Sequence, residues 1–113
     1  MLGKVDFSGL PGTGTIDPKR IRFSQDSVRE TFKESGSVED LVAGLRNGSI
    51  DPSSIPAVRI VERNGQIFTL DNRRLHAFQQ AGIDIPFQKL DAVPKKELFK
   101  FTTDNGGTSI RVR

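Results

Sequence analysis

The sequence predicts a small single-domain α+β fold, a short mixed sheet with flanking helices, on three observations. Asn64-Gly65 stands between two β-rich runs, Arg59 to Arg63 and Gln66 to Leu70, and both turn residues tolerate the positive φ of a tight primed hairpin. Val38, Leu41, Val42 and Leu45 recur at the spacing of a buried helix face. The other apolar pieces are short and divided by turn formers. The resulting order is strand, helix, strand, strand, helix, strand, an optional short helix and a last strand, which suits an α+β domain.

Met1 to Gly14 is glycine-rich and shows neither period, so a linker or loosely attached arm is expected over 1–14 and the domain over 15–113. Lys19 to Phe23 reads as a short strand with Ile21 and Phe23 on one face. Val28 to Glu34 carries Val28 and Phe32 at helical spacing, and Ser27 with Glu30 fits a capping box. Ser37 opens the clearer helix, with Asp40 near the box position and Gly48 as terminator. Asp51 to Pro56 is a rigid polar link able to form a single helical turn. After the hairpin, Asp71-Asn72 are good N-caps and Gly82 closes a helix as its C′ residue. Ile83 to Leu90 forms a third strand, placed by Pro86 at an edge or at its own beginning. Pro94 opens a short helix with Glu97, Leu98 and Phe99, and Ile110 to Arg113 ends the chain as an alternating strand.

Composition removes several function classes. The 113 residues contain no cysteine and a single histidine, which excludes disulfides, a thiol nucleophile, cysteine-based zinc sites and multi-histidine metal sites. No apolar run approaches the length of a membrane span, and no signal-peptide pattern is present, so membrane insertion by this domain is not expected. A net charge of +3 and a pI near 9.6 favour anionic partners mildly. Fourteen carboxylates remain as bases or as ligands for Mg2+ or another divalent cation.

The chemistry concentrates where the second hairpin strand runs into a helix. Asp71, Asn72, Arg73 and Arg74 gather at a helix N-terminus, where free N–H groups and the helix dipole attract anions. Two guanidinium forks suit phosphate. The competing reading is that Asp71 or Asn72 only caps the helix while the arginines are solvated or paired with carboxylates. His76 lies one turn beyond Asn72 and can face the same corner, unless it is a plain surface histidine. Phe32, Phe68 and Phe78 fall at core positions and Phe101 is unassigned, so a base-stacking platform has little support.

Leu70-Asp71-Asn72-Arg73-Arg74-Leu75-His76-Ala77, followed by Ala81-Gly82-Ile83-Asp84-Ile85-Pro86, resembles the central motif of the ParB/sulfiredoxin fold. The likeness covers roughly residues 16–91 and includes the early strand, the Val38 to Asn47 helix and the strand Val58 to Glu62. It implies that Arg73 and Arg74 hold nucleotide phosphates. The Asn72 position is the nucleophilic cysteine of sulfiredoxins and commonly glutamate or asparagine in ParB-type proteins, so sulfiredoxin chemistry is excluded. Asp71 departs from the pattern, which usually has glycine there; a carboxylate could bind a metal or act as a base, but it repels a closely held phosphate. No helix-turn-helix reader or dimerisation region follows the motif, so a chromosome-partition ParB is not expected. Together with Arg20 to Val28 and the tail Phe101 to Arg113, the motif is similar to the ParB-like C-terminal toxin domains of bacterial polymorphic toxins of the Rhs and contact-dependent inhibition types. That likeness implies release from a secreted or cell-surface carrier, action in the cytoplasm of a target bacterium, and a cognate immunity protein, expected to be acidic.

Three functions are therefore expected to compete. A nuclease of DNA or RNA would use Arg73 and Arg74 on the scissile phosphate, Asp71 for a divalent ion or water, Asn72 beside them, and His76 for proton transfer. Arg22, Gln25, Asp26 and Arg29, at and after the early strand, would line its pocket. The same arginine corner could instead bind and hydrolyse a free nucleotide, or transfer part of it. A non-enzymatic nucleic-acid or protein-binding module is the third reading, and it predicts salt-sensitive binding without turnover.

Overall fold

Five strands make the main sheet, and the order in which they pair explains how distant parts of the chain meet at one corner. The computed structural model describes residues 7–25, 27–28, 37–63, 65–96, 101, 107 and 110–112. In chain order the elements are β1 (Thr13–Ile16), a 3-10 turn at Pro18–Arg20, β2 (Arg22–Phe23), β3 (Ser27–Val28), α1 (Val38–Asn47), a 3-10 turn at Pro52–Ser54, β4 (Val58–Arg63), β5 (Gln66–Thr69), α2 (Asn72–Ala81), β6 (Ile85–Lys89) and β7 (Arg111–Val112). The main sheet runs β1-β6-β4-β5-β2, and β3 pairs with β7 separately. β1 is antiparallel to β6 and β4 to β5, whereas β6 is parallel to β4 and β2 to β5. The fold is thus the expected small α+β domain with a mixed sheet.

The hairpin forms as expected. Arg63 pairs with Gln66 across the turn, and Gly65 has φ +76°, the left-handed value a primed turn demands. Its register places Val58 and Ile60 of β4 with Ile67 of β5 on one face, and these join Val38, Leu41 and Leu45 of α1, Leu75 and Phe78 of α2, and Ile85 and Phe87 of β6 in one core. Val61 and Phe68 pair on the opposite face, where Phe68 meets the Phe101 ring edge-on at 5.7 Å and Arg63 lies 4.2 Å over that ring. Phe101 therefore covers the second face of the sheet.

Helix α1 begins at Ser37, whose hydroxyl accepts from the Asp40 N–H at 3.1 Å, and ends at Gly48 with φ +80°. The Asp51 link forms its expected single turn, with Asp51 accepting from the Ser53 N–H.

Three expectations change and a fourth is narrowed. β1 starts at Thr13, and Phe7 and Leu10 pack against the core, so residues 7–14 are built into the domain rather than hanging from it. Only Arg22 and Phe23 of the Lys19–Phe23 run pair as a strand, because Asp17 caps a 3-10 turn that Pro18 opens. Ser27 and Val28 lie in a strand paired with Arg111 and Val112, not at a helix start; the rest of the Val28–Glu34 segment is outside the described residues, as are Glu97, Leu98 and Phe99. Finally, β6 is an inner strand, so of the two placements expected for Pro86 the edge is not taken and the strand's beginning is, Pro86 being its second residue. The Lys89 N–H donates toward β1, to the Gly12 carbonyl, and the Leu90 N–H toward β4, to the Ile60 carbonyl. Alternation along the strand turns the Pro86 nitrogen toward β4, just before the pairing of Phe87 with Val58 begins. The missing donor falls where no ladder bond is due.

Candidate functional site: the corner at the start of helix α2

Asp71 occupies the N-cap position of α2 without capping it. Its backbone N–H donates to the Thr69 hydroxyl at 2.9 Å, and its side chain turns back toward β4. Oδ2 accepts from the Arg59 backbone N–H at 2.7 Å and from Arg59 Nε at 3.2 Å, while Oδ1 accepts from Arg59 Nη2 and Arg74 Nη2, each at 2.9 Å. A carboxylate offers about four acceptor positions, and these bonds use them. Burial, the largest influence, opposes ionisation of Asp71. The Arg59 side-chain and backbone hydrogen bonds and the charges of Arg74 and Arg59 outweigh it, holding the carboxyl below its usual range. Arg74 Nη1 also donates to the Pro56 carbonyl, fixing that guanidinium against the link before β4.

Because the Asp71 side chain is diverted, it does not take up the N–H groups of the first turn of α2. The first intrahelical bond runs from the Leu75 N–H to the Asp71 carbonyl, and the Asp71 side chain does not cap the turn. Helix starts leave such N–H groups pointing along the axis with partial positive charge.

Asn72 has a different job from the one its position suggests. Its side chain is buried and meets the chain just after β2. Oδ1 accepts from the Ser24 N–H at 2.8 Å and the Gln25 N–H at 3.2 Å, and Nδ2 donates to Ser24 Oγ at 3.0 Å and Gln25 Oε1 at 3.2 Å. The amide thus satisfies backbone donors that strand pairing leaves unused at this bend. On either side of the bend the chain is held by the C-terminal segment: the Phe23 N–H donates to the Gly107 carbonyl at 2.9 Å, and Ser27 and Val28 pair with Arg111 and Val112.

The expected site residues are therefore partly assembled. At the start of α2, Asp71 bonds Arg74 and Asn72 bonds Gln25, in two separate sets of contacts. Arg73 is half-buried in the same first turn. His76 is half-buried one turn on, with its ring 6.4 Å from that of Phe23, so it shares with Asn72 the face of α2 turned toward the end of β2. Arg22 sits on β2 itself. Asp26 and Arg29 lie outside the described residues. A divalent ion at Asp71 does not fit, since it would have to displace two guanidinium groups. Among the described residues, no three His, Cys, Asp or Glu side chains gather as a metal site, and no helix is long and apolar enough to cross a membrane.

Arg59, Ser24 and Gly107 complete the corner and were not expected there. Only Arg59 had a readable signal: with the turn fixed at Asn64-Gly65, counting back from Arg63 and Gln66 sets Arg59 opposite Leu70, beside Asp71. No protein-family model matches the sequence, and no curated protein matches it.

Proposed function

We propose that this is an antibacterial toxin domain that hydrolyses phosphodiester bonds of DNA or RNA, with the phosphate held at the N-terminus of α2. The toxin part rests on the likeness of the Leu70–Pro86 motif and its flanks to ParB-like toxin domains. The phosphate part is carried by one observation: the Asp71 carboxylate, the group that should repel an anion here, is turned off the helix end and paired with Arg59 and Arg74. The helix end, which attracts anions through its N–H groups and dipole, then has no carboxylate bonded across it from Asp71.

In this reading Arg73 binds the scissile phosphate and stabilises the charge that grows on its oxygens. His76 transfers a proton to or from the reacting oxygen. Asn72 holds the Ser24–Gln25 bend as one wall, and Asp71 orders Arg74 rather than binding a metal or acting as a base. Asp71 then contributes no metal dependence of its own.

Supercoiled plasmid and total RNA incubated with the domain, with magnesium or with a chelator, test this directly. Cleavage of one of them is expected, reduced about 100-fold by Arg73→Ala with the fold retained by circular dichroism. Intact nucleic acid under every condition, or full activity in that variant, would overturn the proposal. A changed nucleotide pool beside intact nucleic acid would move the activity to free nucleotides.

A further inference from the structure

We infer that Arg59 is a positioning residue for the phosphate: by neutralising Asp71 it keeps the carboxylate's charge from opposing an anion at the start of α2. This rests on the phosphate reading above and adds a residue from β4, outside the Asp71–Arg74 run. Arg59 supplies most of the bonds that hold the carboxylate, through Nη2, Nε and its own backbone N–H. Arg74 divides its guanidinium between Asp71 and the Pro56 carbonyl. The Asp71 carboxylate is thus held by two guanidinium groups. Without the Arg59 side chain, a carboxylate only 10 % exposed would keep Arg74 and the backbone N–H of residue 59 and face the phosphate with one compensating charge fewer.

Charge compensation separates this role from direct phosphate contact and from simple bracing. Arg59→Ala lowers the cluster charge by one unit; adding Asp71→Asn restores it without restoring the guanidinium. Binding of short mixed-sequence RNA and DNA oligonucleotides, followed by fluorescence anisotropy at a fixed ionic strength of about 0.15 M, where the Debye length is about 8 Å, is the readout. Arg59→Ala should bind on the order of five- to tenfold more weakly than wild type. Arg59→Ala/Asp71→Asn should return to the wild-type affinity. Arg63→Ala is the control: it removes an equal charge from the far end of β4, roughly 13 Å along the strand and beyond a Debye length, and should change little.

A double variant as weak as Arg59→Ala would mean that Arg59 touches the phosphate or only braces the corner, and would overturn the inference while the phosphate reading stands. Wild-type protein that binds neither oligonucleotide would overturn the phosphate reading, and the inference with it. If Arg59→Ala alone fails to fold, Arg59→Gln, which removes the charge but keeps a hydrogen-bond donor, takes its place in the same comparison with and without Asp71→Asn.

Discussion

Asp71 shows how one side chain can serve stability and a binding site at once. An aspartate at an N-cap ordinarily bonds the first-turn N–H groups; here three donors from Arg59 and one from Arg74 outcompete that local bond. Its depressed carboxyl has a definite consequence for pH. A carboxyl lowered in the folded state adds stability above its unfolded value, near 3.8, and that contribution is lost as pH falls through the folded value. Wild type should therefore exceed Asp71→Asn in stability at pH 7, by about 2 kcal/mol for charge-assisted hydrogen bonds, and the gap should close below about pH 4. Urea unfolding of both proteins at neutral and acid pH measures it; a gap that persists at pH 2 would remove the carboxylate from the account. Sequence alone showed that Asp71 and Asn72 stand at a helix start, because caps are local. It did not show what they bond, because Arg59 and Ser24 arrive from other strands.

Elements whose signals are local came through, and those that depend on distant partners did not. The α1 stripe, its Ser37 cap, the Asn64-Gly65 hairpin and the Gly82 terminus are each written within a few residues. Ser27 with Glu30 carries the same kind of local capping signal, yet Ser27 and Val28 pair with Arg111 and Val112 instead. At Ser27 and Val28, strand pairing with a distant segment prevails over the local capping signal. The partner strand approaches through Gly107, which is buried with φ +75°. A Cβ there would lie 2.3 Å from the Phe23 carbonyl oxygen and 2.9 Å from its nitrogen, so the close backbone contact needs glycine. Gly107→Val should cost about 2–3 kcal/mol and speed hydrogen exchange at the Phe23 amide, whose acceptor is the Gly107 carbonyl. Gly82→Ala is the contrast: its φ is +70° but nothing lies within 4 Å, so about 1 kcal/mol is expected with Phe23 exchange unaffected. Equal exchange at Phe23 in both variants would detach the C-terminal strand from the corner.

For the whole molecule, the mixed sheet means that chain order and spatial order part company. β2 joins β5 at one edge while β1 joins β6 at the other, so the segment on either side of the Pro18 turn spans the full width of the sheet. That crossing could not be read from periodicity, because β1 is Thr13-Gly14-Thr15-Ile16 and three of its four residues face solvent. A glycine-rich, exposed edge strand resembles a linker in composition alone. Its place is secured from outside by Lys89, whose backbone N–H donates to the Gly12 carbonyl at 2.8 Å and whose ammonium donates to the Leu10 carbonyl at 2.9 Å while lying 4.7 Å over the Phe7 ring. Phe7 and Leu10 are partly buried against the same core as Ile16. If residues 7–10 are part of the domain, deleting 1–10 removes two apolar contacts and two partners of Lys89. The expected loss is about 2–3 kcal/mol, since each side chain is only partly buried and full burial is worth about 1.5–3 kcal/mol. An arm that merely trails from the sheet would leave the urea midpoint where it was, and that result would return residues 7–10 to the linker. The same deletion should leave oligonucleotide affinity unchanged, because β1 and the start of α2 reach the core from opposite edges of the sheet: a loss of stability without a loss of binding is the combination this architecture requires.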